Sequence, residues 1–315
     1  MDLKELINPI TKKKVDIKNI EFFNGTPDLY IPNADDNIVS KQSEFYNDVK
    51  FPNYDEIEDF GSLLEKSKNS IFTTKLDQEI SYHANVLEAG CGTGQLSIAL
   101  SRFGRKITGI DISKGSLNEA KKFIDKNKIN NVQLFRMNIF NIFFPKNYFD
   151  VIISNGVLHH TKDAKSAFQN LTKYLKPNGL IVIGLYHKYG RLIQNLRQFL
   201  IKTFGDKTKN FIDKRFQKNI SNKKKYAWFK DQYQNPFETK HTFPEVHNWF
   251  MENDIEFINS IPFHFKEKDK IFAKQKTKNN TKLILEEIFL ATDPMQVYEG
   301  GFFVMIGRKK NNKKL

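Results

Sequence analysis

The ten-residue run Val86-Leu87-Glu88-Ala89-Gly90-Cys91-Gly92-Thr93-Gly94-Gln95 constrains this chain more than any other stretch. A short apolar segment carrying an acid enters a Gly-x-Gly-x-Gly turn, and the turn opens into a helical pattern of Leu96, Ile98, Ala99, Leu100 and Phe103. Glycine allows a tight turn and leaves no Cβ between the backbone and a ligand. A second apolar segment, residues 106–110, leads into Asp111. That carboxylate lies about 20 residues on, where dinucleotide-type folds set an acid against ribose hydroxyls. Strand, glycine turn, helix, strand and acid together predict an α/β nucleotide-binding unit.

The spacing separates two kinds of cofactor. A nicotinamide fingerprint reads Gly-x-Gly-x-x-Gly and keeps the helix N-terminus for a pyrophosphate. Here the third glycine comes one residue early and Glu88 precedes the loop. An acid there repels a pyrophosphate and suits the cationic α-amino group of a methionine moiety. With Leu87-Glu88-Ala89-Gly90-Cys91-Gly92-Thr93-Gly94-Gln95 in place, the sequence resembles the class I S-adenosylmethionine (SAM) dependent methyltransferases. The resemblance runs from Phe45-Tyr46 to Met305-Ile306-Gly307 and looks like an uncharacterised small-molecule-type subgroup with a cap insertion. It implies SAM as cofactor and a Rossmann-like, seven-stranded, mostly parallel sheet whose last strand is antiparallel.

Periodicity supports that plan. Strands are predicted at 86–89, 106–110, 132–136, 149–154, 180–185, 255–260 and 302–307, and helices at 94–104, 113–126, 163–175 and 243–253. Ser113 suits an N-cap, Pro244 a first helical turn, and Lys176-Pro177-Asn178-Gly179 a stop signal. Strands alternating with helices mean an α/β fold, a parallel sheet with helices on both faces. Ligands in such sheets bind outside the carboxyl ends of the strands. Glu88, Asp111, Asn138, Asn155 and Tyr186 fall at such ends, so one cleft collects them.

Four segments are expected. Residues 1–35, with a turn at Asn24-Gly25-Thr26-Pro27-Asp28, form a small β-rich lid or a degenerate, metal-free remnant of the zinc-ribbon modules found beside some methyltransferases. Residues 36–186 carry the SAM-binding core, residues 187–242 a helical cap insertion, and residues 243–315 the C-terminal part of the core, with a second insertion over 262–299. Within 40–80 the pattern is helical, and Leu63, Leu64, Ser67, Ile71 and Leu76 fit one apolar stripe. The resemblance implies that this segment closes over the cofactor; Tyr46 and Tyr54 are candidates for that role, with packing as the alternative.

The cofactor set is Glu88, Gly90, Gly92, Gly94 and Gln95 around the turn, Asp111 on the ribose and Ile112 on the adenine face. Asn138 and Ile139 lie where the resembling family places a polar side chain against the adenine edge, and Asn155 follows the fourth strand. Asn138 replaces the usual acid, so a hydrogen bond remains without the charge; the alternative is a turn residue closing a strand. The run Asn155-Gly156-Val157-Leu158-His159-His160 lacks the Asn/Asp-Pro-Pro-Tyr/Phe of methyltransferases acting on nucleobase or amide nitrogens. Methyl transfer is an in-line displacement governed by alignment, and a hydroxyl nucleophile also needs a base. His160 or His159 is the catalytic candidate, with a structural histidine as the alternative.

The insertion carries two basic amphipathic patterns, around 190–204 and 207–217, and Leu192, Leu196, Phe199 and Leu200 offer a stripe to dock. Trp228, Phe229, Tyr233 and Phe237 call for burial. Tyr186, Arg191, Asp231, Tyr233 and His241 are the substrate-facing candidates, Arg191 pairing with a substrate anion or with Asp231; the alternative is a polar network that only pins the cap. Asp231, Glu238 and His241 are metal-ligand types, yet SAM chemistry needs no metal and none is assigned.

Charge leaves the partner open. The net charge of +14 rests on dispersed lysine, with clusters at Lys12–Lys14, Lys223–Lys225 and Arg308–Lys314, the last in a tail expected to fray. Solvated lysines and a phosphate-binding track both fit. Three readings follow: methylation of a small or medium organic acceptor at oxygen, an RNA (tRNA) methyltransferase using the basic cap, or a non-catalytic SAM-binding partner protein. Cys91 has no partner, which excludes an internal disulfide. No apolar run reaches a membrane span and no signal-peptide pattern opens the chain, so a cytoplasmic protein is expected, its oligomeric state open.

Overall fold

The apolar runs assemble into one sheet in a computed structural model that describes residues 3–32, 37–50, 52–217, 221–262, 268, 270–276, 280–289 and 301–311. Its strands are β1 (Glu21–Phe23), β2 (Thr26–Asp28), β3 (Asn85–Ala89), β4 (Lys106–Asp111), β5 (Val132–Arg136), β6 (Phe149–Asn155), β7 (Leu175–Tyr186), β8 (Ile255–Ile261) and β9 (Phe302–Lys309). They lie in the order β1-β2-β5-β4-β3-β6-β7-β9-β8. Strands β2 through β7 run parallel, and β9 is antiparallel to both β7 and β8. Alternate residues enter opposite cores, as the two-residue repeat of a strand requires. Leu87 and Ile152 pack on one face, and Val86, Val151 and Ile153 on the other.

The helices are α1 (Asn37–Asp48), α2 (Phe60–Lys68), α3 (Ile71–Glu79), α4 (Gln95–Ala99), α5 (Lys114–Lys126), α6 (Ala164–Thr172), α7 (Leu192–Phe204), α8 (Lys209–Ile212), α9 (Asn222–Tyr233), α10 (Phe243–Glu252) and α11 (Asn280–Phe289). Ser113 caps α5 by accepting from the Ser116 N–H at 3.0 Å. Thr242 and Glu245 form a capping box on α10, with Pro244 in its first turn. The result is a Rossmann-like α/β arrangement.

Several expectations are corrected. The sheet has nine strands among the described residues, not seven, because residues 21–28 form a hairpin that extends its edge. Asp28 pairs with Arg136 on β5 in register, and their side chains meet at 3.0 Å. Leu6, Ile20 and Leu29 are buried in the sheet core, and no described residue before Val39 lines the cavity described below. The stripe drawn through Leu63 and Ile71 is broken, because Ser70 caps a new helix and leaves Ile71 exposed. The predicted helix over 207–217 is replaced by α8 and two flanking 3-10 turns.

At the C-terminus, Lys309 is held rather than frayed: its Nζ donates to the Thr172 and Leu175 carbonyls at 2.8 and 2.9 Å. Lys313 and Lys314, like much of 262–299, lie outside the described residues.

Candidate functional site

The carboxyl ends of β3, β4, β5, β6 and β7 converge on a cavity of about 430 Å³. Gly90, Gly92 and Gly94 all have positive φ, 79°, 53° and 74°, which bends the chain sharply between β3 and α4. A Cβ on Gly90 would lie 2.4 Å from Val157 Cγ1, so the turn closes against the loop after β6 only because that carbon is missing. Asp111 fixes the turn from the next strand. Its two carboxylate oxygens accept the Gly92 and Ser113 N–H groups at 2.8 and 2.9 Å. Burial raises the Asp111 pKa above the ordinary value, against these bonds.

Glu88 lies at the cavity wall and accepts from the Ser97 hydroxyl. Burial, opposed by Ser97 and reinforced by Asp111, pushes its pKa up to about 7. Gln95 donates to the Asn53 carbonyl at 2.7 Å, joining the loop to the segment after α1. Tyr54 does the same through the Thr93 carbonyl at 2.7 Å and stacks on Phe123. Two amides on this wall, Asn138 buried and Asn155 half-buried, keep buried atoms unused. Asn138 accepts the Phe140 N–H at 3.0 Å while its Nδ2 has no partner, and Asn155 Oδ1 has none. Of the ten expected cofactor residues, Gly94 alone is off the wall, facing Ala120 instead.

The opposite wall is built from distant parts of the chain. His160, Tyr186, Asp231, Gln232, Tyr46 and Gln42 all line the cavity. His160 Nδ1 lies 2.8 Å from the Phe237 carbonyl oxygen. A carbonyl only accepts, so Nδ1 carries the proton and Nε2 keeps its lone pair. Burial lowers the His160 pKa against the raising pull of Asp231, so the ring is neutral near neutral pH. Gln232 Nε2 donates to the Tyr186 hydroxyl at 2.9 Å and to Asp231 at 2.8 Å. Tyr46 donates to Asp231 at 3.0 Å and accepts from Asn235 at 3.0 Å.

Four predicted site residues stand elsewhere. His159 is fully buried with neither ring nitrogen bonded, 3.9 Å from the Tyr186 ring between centroids, and is off the cavity wall. Arg191 is fully buried, pairs with Glu238 at 3.0 Å and Gln232 at 2.9 Å, stacks over the Tyr186 ring and is off the cavity wall. Tyr233 donates to Asp213 at 2.6 Å inside a small aromatic cluster with Phe216 and Phe229. His241 is held between Glu245 and Thr239, each at 2.8 Å. In each case a nearer polar or aromatic partner wins over the cavity.

Gln42, Gln232, Phe140 and Phe302 also line the cavity and were not singled out by the sequence. Only the neighbouring Asp231 flagged Gln232; a glutamine in α1 or α9 carries no spacing signal.

Residues 80–240 match the family described as a methyltransferase domain. The chain is 26% identical over 144 residues to the uncharacterized methyltransferase YcgJ of Bacillus subtilis, covering 46% of this chain and 52% of that protein. It is 31% identical over 103 residues to the ubiquinone biosynthesis O-methyltransferase of Bradyrhizobium diazoefficiens, covering 33% and 40%. The chain thus spans about half the length, or less, of these curated relatives. Among solved structures it resembles the magnesium protoporphyrin IX methyltransferase of Synechocystis PCC 6803 with bound SAH. That match has a TM-score of 0.50 and 12% identity, over 87% of this chain and 100% of the other.

Proposed function

This chain belongs to the methyltransferase domain family, and from that premise we propose that it is a class I SAM-dependent methyltransferase that methylates a hydroxyl oxygen of a small or medium organic acceptor. The observation that carries this reading is His160. Its ring lines the cavity, its Nδ1 is committed to the Phe237 carbonyl, and Nε2 is left as a neutral base. A hydroxyl nucleophile needs such a base, whereas an amine that arrives neutral does not.

The wall around the glycine turn fits SAM. Asn138 Nδ2 is a buried donor without a partner, suited to a ring nitrogen of adenine, and Asn155 Oδ1 is a buried acceptor suited to an ammonium. Glu88 offers the matching charge for that ammonium once ionised, and Asp111 the ribose acceptor. When bound, SAM supplies a methyl group activated by a sulfonium. Within the chain, His160 Nε2 takes the acceptor's proton as its oxygen becomes the nucleophile. Tyr186 accepts from Gln232, so its own proton is free to orient the acceptor.

Residues 187–242 act in this reading as the cap that completes the acceptor pocket, through Asp231 and Gln232, and that excludes water from the displacement. A cytoplasmic setting agrees with the single buried, unpaired Cys91. Among the described residues no helix is long and apolar enough to cross a membrane.

The test is release of S-adenosylhomocysteine from SAM with fractions of a cell extract. Turnover is expected with the dialysable fraction and should survive ribonuclease. Turnover with the RNA fraction alone would reassign the acceptor, and none with any fraction would favour a partner protein that binds SAM without using it.

A further inference from the structure

The helix α7 is amphipathic in the reverse sense. Leu192, Leu196 and Phe199, spaced to share one face, were expected to dock on the body of the protein. They are instead 52%, 57% and 64% exposed. The inward face is mostly polar: Gln194 and Gln198 donate to the Gln232 carbonyl at 3.3 and 2.8 Å, and Ile201 alone enters the small cluster with Phe216 and Phe229. The apolar exposure continues to the helix end and beyond it, with Phe204 67% and Phe211 89% exposed. Residues 187–230 contain thirteen lysines and arginines against two aspartates and no glutamate, and of the cations Arg191 is buried against Glu238. Of those two aspartates Asp213 is buried, while Lys202 and Lys207 beside the stripe are exposed.

We propose that this face docks the enzyme on an anionic phospholipid surface, the apolar stripe entering the headgroup boundary while the surrounding cations meet the lipid charge. Apolar side chains on one face flanked by Lys and Arg are the composition of an interfacial helix. Charge complementarity selects the occupant. A second copy seated symmetrically on this face would set one basic surface against another. A nucleic acid needs cations over the centre of the contact, and here the centre is Leu196 and Phe199. The cap over 187–242, which includes α7, also carries Asp231 and Gln232 on the cavity wall, so docking would bring the reaction chamber close to the membrane surface.

The inference does not depend on which acceptor is methylated, because its readout is partitioning rather than turnover. The full chain is sedimented with vesicles of phosphatidylcholine alone and of phosphatidylcholine with phosphatidylglycerol. Binding is expected to the anionic vesicles and to weaken with salt. Leu196→Gln with Phe199→Gln should lower partitioning by about tenfold or more. Lys202→Gln and Lys207→Gln should each lower it by about fivefold. All four positions are exposed or at the rim of the fold, so melting temperature and SAM binding should stay unchanged. Absence of binding to anionic vesicles overturns the proposal. So does a dimer in solution that the Leu196 and Phe199 substitutions dissolve, or binding to RNA in place of vesicles.

Discussion

The two walls of the cavity are made by different means. The wall around the glycine turn is local: Glu88, Gly90, Gly92, Gln95 and Asp111 lie within 24 residues and are placed by backbone geometry at the ends of adjacent strands. The opposite wall joins Tyr46 to Asp231 and Gln42 to Asn235, across 185 and 193 residues. A backbone-placed site tolerates loss of a side chain as a loss of affinity. A wall held together by side-chain hydrogen bonds divides sharply into groups that touch the ligand and groups that only hold the wall. Each substitution below tests which of these a residue does.

The largest effect is expected at His160. His160→Gln keeps a polar group near the Phe237 carbonyl and removes the base, lowering kcat by about two to four orders of magnitude with SAM affinity little changed. In the native enzyme the lowered pKa places the acid limb of kcat below the ordinary histidine value. If kcat survives in the variant, the second wall contributes shape alone.

On the first wall, Asp111→Ala should cost about 1.5–3 kcal/mol of SAM affinity in calorimetry, the scale of hydrogen bonds to a charged group. Unchanged affinity in a folded variant would remove the ribose role. Glu88 gives a smaller, pH-linked effect. Its pKa is raised to about 7, so below that pH the free enzyme holds it protonated. An ammonium requires the ionised form, so SAM affinity should rise with pH toward 7 by up to about tenfold per unit and then level off. Glu88→Gln should flatten that slope. The stability of the free enzyme runs the other way. Glu88 in the unfolded chain ionises from its ordinary 4.5, so stability falls as pH rises from there toward 7.

The smallest effect separates holding from touching. Tyr233→Phe removes the bond to Asp213 and should lower stability by about 1 kcal/mol, read as an earlier melt, while kcat per folded molecule stays constant. A loss of turnover without a change in melting would return Tyr233 to the acceptor site.

This division also explains what the sequence could and could not reveal. Strand, glycine turn and acid are short-range signals, so β3, β4 and the wall positions from Glu88 to Asp111 follow from spacing, while Asn138 and Ile139 were expected from the family resemblance. His160, Tyr186 and Asp231 were legible because each is a reactive residue type beside a strand end or in an aromatic, polar stretch. Their neighbours His159, Tyr233 and His241 carry the same composition signal, and only tertiary partners decide between cavity and scaffold. The turn at Asn24-Gly25 and a β-rich segment were expected, but not that β1 and β2 extend the sheet, because three-residue strands leave too little alternation to read. The outward stripe of α7 escaped because periodicity finds an apolar face without saying which way it points.

Gln232 has a consequence for how the chamber responds to acidity. Its Oε1 accepts from Arg191 and its Nε2 donates to Tyr186 and Asp231. An amide turned over would set donor against donor at the guanidinium and oxygen against oxygen at Asp231, so only one orientation is stable. That orientation is dictated by a guanidinium, which does not release its proton in water. The sense of every hydrogen bond from Arg191 to the Tyr186 hydroxyl is therefore constant across the range in which an imidazole titrates. In the proposed reading, His160 gains and loses its proton against a polarity that does not move with it, so a shift in pH would change whether the acceptor is activated without changing how it is oriented.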